Sequence, residues 1–114
     1  MTILQARAVV RAKDGRWEDA KSIASQQVSD ANTRPGTLVY EIYTDESSHQ
    51  LINLAAYRDA ESWLAHTRSN PFSKQYMEAC ELVCLEVHGE PTAELLELIR
   101  SFGSAPVYAA ISHA

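Results

Sequence analysis

Trp63 and His66 stand three residues apart in the stretch Tyr57-Arg-Asp-Ala-Glu-Ser-Trp-Leu-Ala-His-Thr-Arg-Ser-Asn-Pro-Phe72. On a helix that spacing puts both side chains on one face. An imidazole titrates nearest to neutral pH, so His66 is the candidate acid–base group. An indole beside it offers a flat wall for an aromatic molecule. The chemistry this pair suits is acid–base work at the corner of a small-molecule pocket. Tyr40 and Tyr57, on strands, could hold a substrate oxygen, and Phe72 and Tyr76 are further candidate wall residues. Each has a structural reading too. His66 could cap a carbonyl near a helix end, Trp63 could anchor its helix to the core, and the tyrosines could pack in an interface.

Asn53 is the remaining polar candidate. A carboxamide in the apolar run Leu51-Ile-Asn-Leu-Ala-Ala56 must find partners or cost roughly 1–3 kcal/mol. A substrate carbonyl, a neighbouring side chain and a second subunit are all open to it. Arg7 and Arg11 share one side of a strand and are placed to bridge to Glu41. His49, His88 and His113 are scattered with no ligand spacing, so no metal site is expected.

The elements that must position these groups follow from periodicity. Ile3 to Ala12 alternates as a strand, Asp14-Gly15 is turn chemistry, and Arg16 to Ala31 places Trp17, Ala20, Ile23, Ala24, Val28 and Ala31 on one helix face. Arg34-Pro35-Gly36 breaks the chain before a strand over Thr37 to Tyr43, in which Leu38, Tyr40 and Ile42 face one way. His49 to Tyr57 returns as the second arm of a hairpin. Being apolar on both faces apart from Asn53, it must be covered on both. Asp59 caps a helix to Thr67, and Pro71 opens another that runs to Leu82 and buries Phe72, Tyr76, Ala79, Cys80 and Val83. Cys84 to Gly89 reads as a strand, Thr92 to Phe102 as an amphipathic helix, and Pro106 to Ser112 as a last strand anchored by Tyr108.

This β-α-β-β-α-(α)-β order predicts an α+β fold. A ferredoxin-like antiparallel sheet carries helices on one face, and a C-terminal helix and strand extend it. Two such sheets packed by their open faces would make a dimeric α+β barrel. The domain is expected to span 1–90, with 91–114 as an extension contacting the partner subunit.

The bulk numbers restrict the partners. A net charge of −5 and 22% charged residues give no basic patch for a phosphate backbone, so nucleic acid is not expected. No apolar run approaches the roughly 20 residues of a membrane span, and the first residues do not read as a secretory leader. Cys80 and Cys84, the two cysteines, read as small buried apolar groups near a helix end in a reducing cytoplasm.

The chain resembles the antibiotic biosynthesis monooxygenase domain family from about Ile3 to Gly89. The similarity rests on Arg34-Pro-Gly-Thr-Leu-Val-Tyr-Glu41 and on Trp63-Leu-Ala-His-Thr-Arg-Ser-Asn-Pro-Phe72. The family often shows Pro-Gly before an apolar-x-Tyr-Glu strand, then a His a few residues ahead of a Phe. The resemblance implies a homodimer that oxygenates an aromatic quinol or anthrone without a cofactor, with His66 as base. Two alternatives stand behind it on the same fold: a non-catalytic dimer binding a small molecule, and an isomerase of a small hydroxyketone or phosphorylated metabolite that would keep His66 and take anion contacts from Arg68. Haem degradation is disfavoured, because the first strand lacks an Asn, Tyr57 stands where those relatives carry Trp, and Tyr76 falls near their His. Leu54-Ala-Ala-Tyr57 also replaces the Tyr-Glu-x-Trp common at the end of the third strand.

Overall fold

The computed structural model describes residues 3–111. Its elements run β1 (Leu4–Ala12), α1 (Trp17–Ala31), β2 (Thr37–Asp45), β3 (Gln50–Tyr57), α2 (Ala60–Ser69), α3 (Ser73–Ala79), β4 (Cys80–His88), α4 (Ala93–Arg100) and β5 (Val107–Tyr108). One sheet is ordered β2-β3-β1-β4-β5. It is antiparallel except where β5 joins β4 in parallel. This is the ferredoxin-like α+β fold the element order predicts.

Alternation along the strands decides which side chains meet the helices. Leu4, Ala6, Ala8 and Val10 of β1 and Leu51, Asn53, Ala55 and Tyr57 of β3 share the helix-covered face. Two apolar clusters form there. One joins Leu4, Tyr57, Trp63, Leu64, Val87, Leu95 and Ile99, and the other Val10, Trp17, Ala20, Ile23, Leu51, Tyr76 and Cys80. Between them the floor is paved with alanines, Ala6 lying directly opposite Ala55 and Ala8 opposite Asn53. Methyl groups cannot fill the depth that leucines fill on either side, so a hollow remains beneath α2 and α3.

Local chemistry fixes the entry into α2. The carboxylate of Asp59 accepts from the Ser62 amide at 2.8 Å and the Ser62 hydroxyl at 2.6 Å, an N-cap of the usual kind. Gly36 makes that approach possible, because a Cβ there would collide with the side chain of Ser62. The Pro-Gly pair before β2 therefore does more than turn the chain; it lets α2 sit close to the sheet.

Several expectations need correction. The helix opened after Pro71 ends at Ala79, and β4 starts at Cys80, pairing its first residue with Ala12. The open edge of β1 takes residues 80–84 into the sheet, so tertiary pairing overrides local helix propensity. Val83 is consequently exposed, as is Cys84. Arg7 and Arg11 do not reach Glu41, because β3 lies between β1 and β2. Arg11 instead pairs with Glu81 on β4 at 3.6 Å, and Glu41 accepts from the Tyr43 hydroxyl at 2.7 Å. The last strand comprises only Val107–Tyr108, and Tyr108 is exposed rather than an anchor. Ser112 and His113 lie outside the described residues.

The described part of the extension packs on the rest of the chain. The Thr92 hydroxyl caps α4 by accepting from the Leu95 amide at 3.2 Å, and Leu95 and Ile99 are buried in the first cluster. The sheet face away from the helices stays open and mixed in character. It carries Val39, Tyr43 and Val83, each at least 40% exposed, alongside Arg7, Arg11 and Glu41.

Candidate functional site

The hollow over the alanine floor is a cavity of about 160 Å³. Tyr40, Asn53, Tyr57, Trp63, His66 and Tyr76 all line it, with Ala6, Ala8 and Ala55 beneath. Phe72 does not; it packs from the start of α3 against the second cluster. The aromatic ring closing the wall is instead Phe102, just past α4. None of the described lining residues is Asp, Glu, Lys or Arg. Arg68, the cation a phosphorylated ligand would need, pairs with Glu94 at 2.8 Å and takes no part in the wall.

Trp63 and His66 share the inward face of α2, as their spacing requires, and both are buried. Trp63 stacks on Tyr57 with ring centroids 5.0 Å apart, and the His66 ring lies 5.1 Å from that of Tyr40 and 5.8 Å from that of Tyr57. His66 is thus enclosed by aromatic faces, and its Nδ1 has no hydrogen-bond partner. Burial, reinforced by the Arg34 guanidinium and opposed by Asp30, lowers its pKa from 6.5 to about 4. The charged form is penalised because low-polarity surroundings solvate it poorly. At neutral pH the ring is an uncharged imidazole with a lone pair to offer.

The tyrosines move the opposite way for the same reason. Burial, with the Asp30 carboxylate adding to it, pushes Tyr40 up to about 12. Burial also carries the Tyr57 and Tyr76 phenols above their ordinary value. All three remain protonated donors.

Asn53 is committed to the protein. Its Nδ2 donates to the carbonyls of Ala8 and Leu51 at 3.1 and 3.2 Å, and its Oδ1 accepts from the Tyr76 hydroxyl at 3.1 Å. The carboxamide orients Tyr76 across the floor. Of the three partners open to it in the sequence, the structure supplies the neighbouring groups.

Sequence reasoning passed over Gln27, Thr67 and Asn70, which also line the cavity. Gln27 had a visible signal: it lies between Ala24 and Ala31 on the apolar face of α1, yet it is polar. Two other histidines, His49 and His88, sit elsewhere. His49 stacks on Trp17 at 4.9 Å, and His88 lies 3.3 Å from Glu86.

The site is thus an uncharged aromatic cavity on the helix face of a ferredoxin-like sheet. The family model described as antibiotic biosynthesis monooxygenase matches residues 4–78. The chain belongs to the antibiotic biosynthesis monooxygenase family. Among solved structures, MupZ from Pseudomonas fluorescens superposes with a TM-score of 0.79 at 19% identity, covering 100% of this chain and 94% of that one. Its coverage includes α4 and β5. A conserved protein of unknown function from Bacteroides thetaiotaomicron gives 0.71 at 16% identity over 78% of this chain and 98% of that one. A Pseudomonas aeruginosa protein gives 0.65 at 21% identity over 81% and 95%. At such identities these likenesses speak for the fold alone. No curated protein is significantly similar to the chain. Among the described residues no helix is long and apolar enough to cross a membrane.

Proposed function

We propose that the protein is a cofactor-independent monooxygenase whose substrate is a neutral quinol with a single aromatic ring. The observation that carries this reading is the uncharged aromatic cavity with one neutral, unpartnered imidazole in its wall. A dry cavity of about 150 Å³ takes a molecule the size of benzene. At about 160 Å³ the hollow suits one ring better than the three of an anthrone.

In this mechanism a phenolic hydroxyl lies against His66 while the stacked Trp63 and Tyr57 rings together form one side of the pocket. His66 takes the proton as the phenolate forms. The imidazolium and phenolate compensate each other in a cavity whose described lining carries no other formal charge, where their attraction is weakly screened. The phenolate is electron-rich and reduces oxygen itself. One oxygen atom enters the ring and the other leaves as water, so that dihydroxybenzene and O2 become hydroxybenzoquinone and water. Tyr40, still protonated, donates to the oxygen carrying the charge.

The same burial makes His66 a weak base, and this favours a second reading, a cavity that binds such a ring without turning it over. A phosphorylated substrate has no support, since among the described residues no cation lines the cavity. We also read the open sheet face, with Leu54 and Ile52 at its centre, as the surface on which a second copy packs to form the dimeric barrel. The exposed Tyr108 of the extension would then meet the partner.

Oxygen uptake over a panel from hydroquinone to anthrone tests the proposal, with label from 18O2 traced into product. One-ring quinols should be consumed faster than they autoxidise and should carry label. Uptake at the no-protein rate across the panel would move the reading to silent binding.

A further inference from the structure

Gln27 is 3% exposed, and its Nε2 has no hydrogen-bond partner. A buried amide donor left unpaired costs roughly 1–3 kcal/mol, so native proteins keep few of them. The direction in which this amide points is not arbitrary. The Phe72 backbone amide can only donate, and it donates to Asn70 Oδ1 at 3.0 Å. That fixes Asn70 Nδ2 as the outward end, which donates to Gln27 Oε1 at 2.9 Å. Gln27 must then present its NH2 away from Asn70, as an uncommitted donor in the cavity wall. Asn70 is itself held at the end of α2, its backbone amide donating to the His66 carbonyl at 2.9 Å. A donor on Gln27 and an acceptor on His66 therefore belong to one braced arrangement spanning α1, α2 and the start of α3.

We propose that Gln27 is a specificity-determining residue: it donates to a second ring oxygen of a ligand whose first hydroxyl meets His66, and Asn70 positions it. The inference rests on the cavity being the substrate site and names the substrate class more narrowly, as a ring with two oxygen substituents rather than a simple phenol.

Anaerobic calorimetric titration with phenol, catechol, resorcinol and hydroquinone tests it. At least one dihydroxybenzene should bind the wild-type protein about 3- to 10-fold more tightly than phenol, the equivalent of one neutral hydrogen bond. Gln27→Leu should abolish that advantage while leaving phenol affinity in place. Asn70→Asp should do the same with Gln27 intact, because a carboxylate accepts from both Phe72 and Gln27 and so turns the amide around. An advantage that survives both substitutions overturns the proposal. Should either variant fold poorly, the assigned side-chain amide of Gln27 in the wild-type NMR spectrum decides. It should shift with the preferred dihydroxybenzene and not with phenol, and an unmoved resonance overturns the proposal. Absence of all binding refutes the quinol reading as well. Binding and turnover that ignore Gln27 refute this inference alone.

Discussion

Acidification should cost this protein stability through His66, by an amount that can be isolated. The ring is 4% exposed, and its pKa falls from 6.5 in the open chain to about 4 in the fold. Between those values the unfolded chain binds a proton that the folded protein refuses, so stability falls as pH drops below 6.5 and levels off below about 4. One pKa unit corresponds to about 1.4 kcal/mol, so the full loss is about 3 kcal/mol, of which about 2 kcal/mol is reached at pH 5. Urea unfolding of wild type and His66→Leu at pH 7.5 and pH 5 isolates this contribution, because the carboxylates and other histidines are common to both proteins. The stability difference between the two should shift by about 2 kcal/mol in favour of the leucine variant at the lower pH. A difference that stays constant to within about 0.5 kcal/mol would mean that His66 titrates normally, and the argument from a buried neutral imidazole would fall.

Three further outcomes follow from the packing. Asn53→Leu, which strands the Tyr76 hydroxyl and two backbone carbonyls, should destabilise by about 1–3 kcal/mol in urea. Adding Tyr76→Phe should recover part of that loss, and strict additivity of the two changes would contradict the network. Gly36→Ala should lower the melting temperature by driving a methyl into Ser62; Ser62→Gly in the same chain should restore part of it. Leu54→Asp places a charge in the middle of the open sheet face, and sedimentation should then show monomer or aggregate. A soluble, fully dimeric variant would speak against the barrel.

The fold was largely legible in the sequence because its signals are local. Alternation in β1 and β2, the break at Pro35-Gly36 and the cap at Asp59 each identify an element without knowledge of its neighbours. The pairing of Trp63 with His66 carried over for the same reason, since helical spacing alone puts them together. Residues 80–82 read as helix but lie in β4, because nothing in their own sequence states that β1 offers an open edge. The cavity was legible only in part. Its rim is aromatic and conspicuous, whereas its volume comes from Ala6, Ala8 and Ala55, whose importance lies in what they fail to fill. Phe72 and Phe102 exchanged roles because a residue at a helix start can face either cluster, and the chain beyond α4 had to fold back before Phe102 could reach the wall. Gln27 and Asn70 belong to separate elements, and only their contact reveals a donor.

The central claim, that His66 removes a proton from a bound quinol, is tested most directly by oxygen consumption with the best one-ring quinol, comparing wild type with His66→Ala. General-base catalysis contributes typically about 10²- to 10⁴-fold, so kcat should fall by at least about 100-fold while the variant remains folded and still binds the quinol. Turnover that survives His66→Ala unchanged would contradict the account.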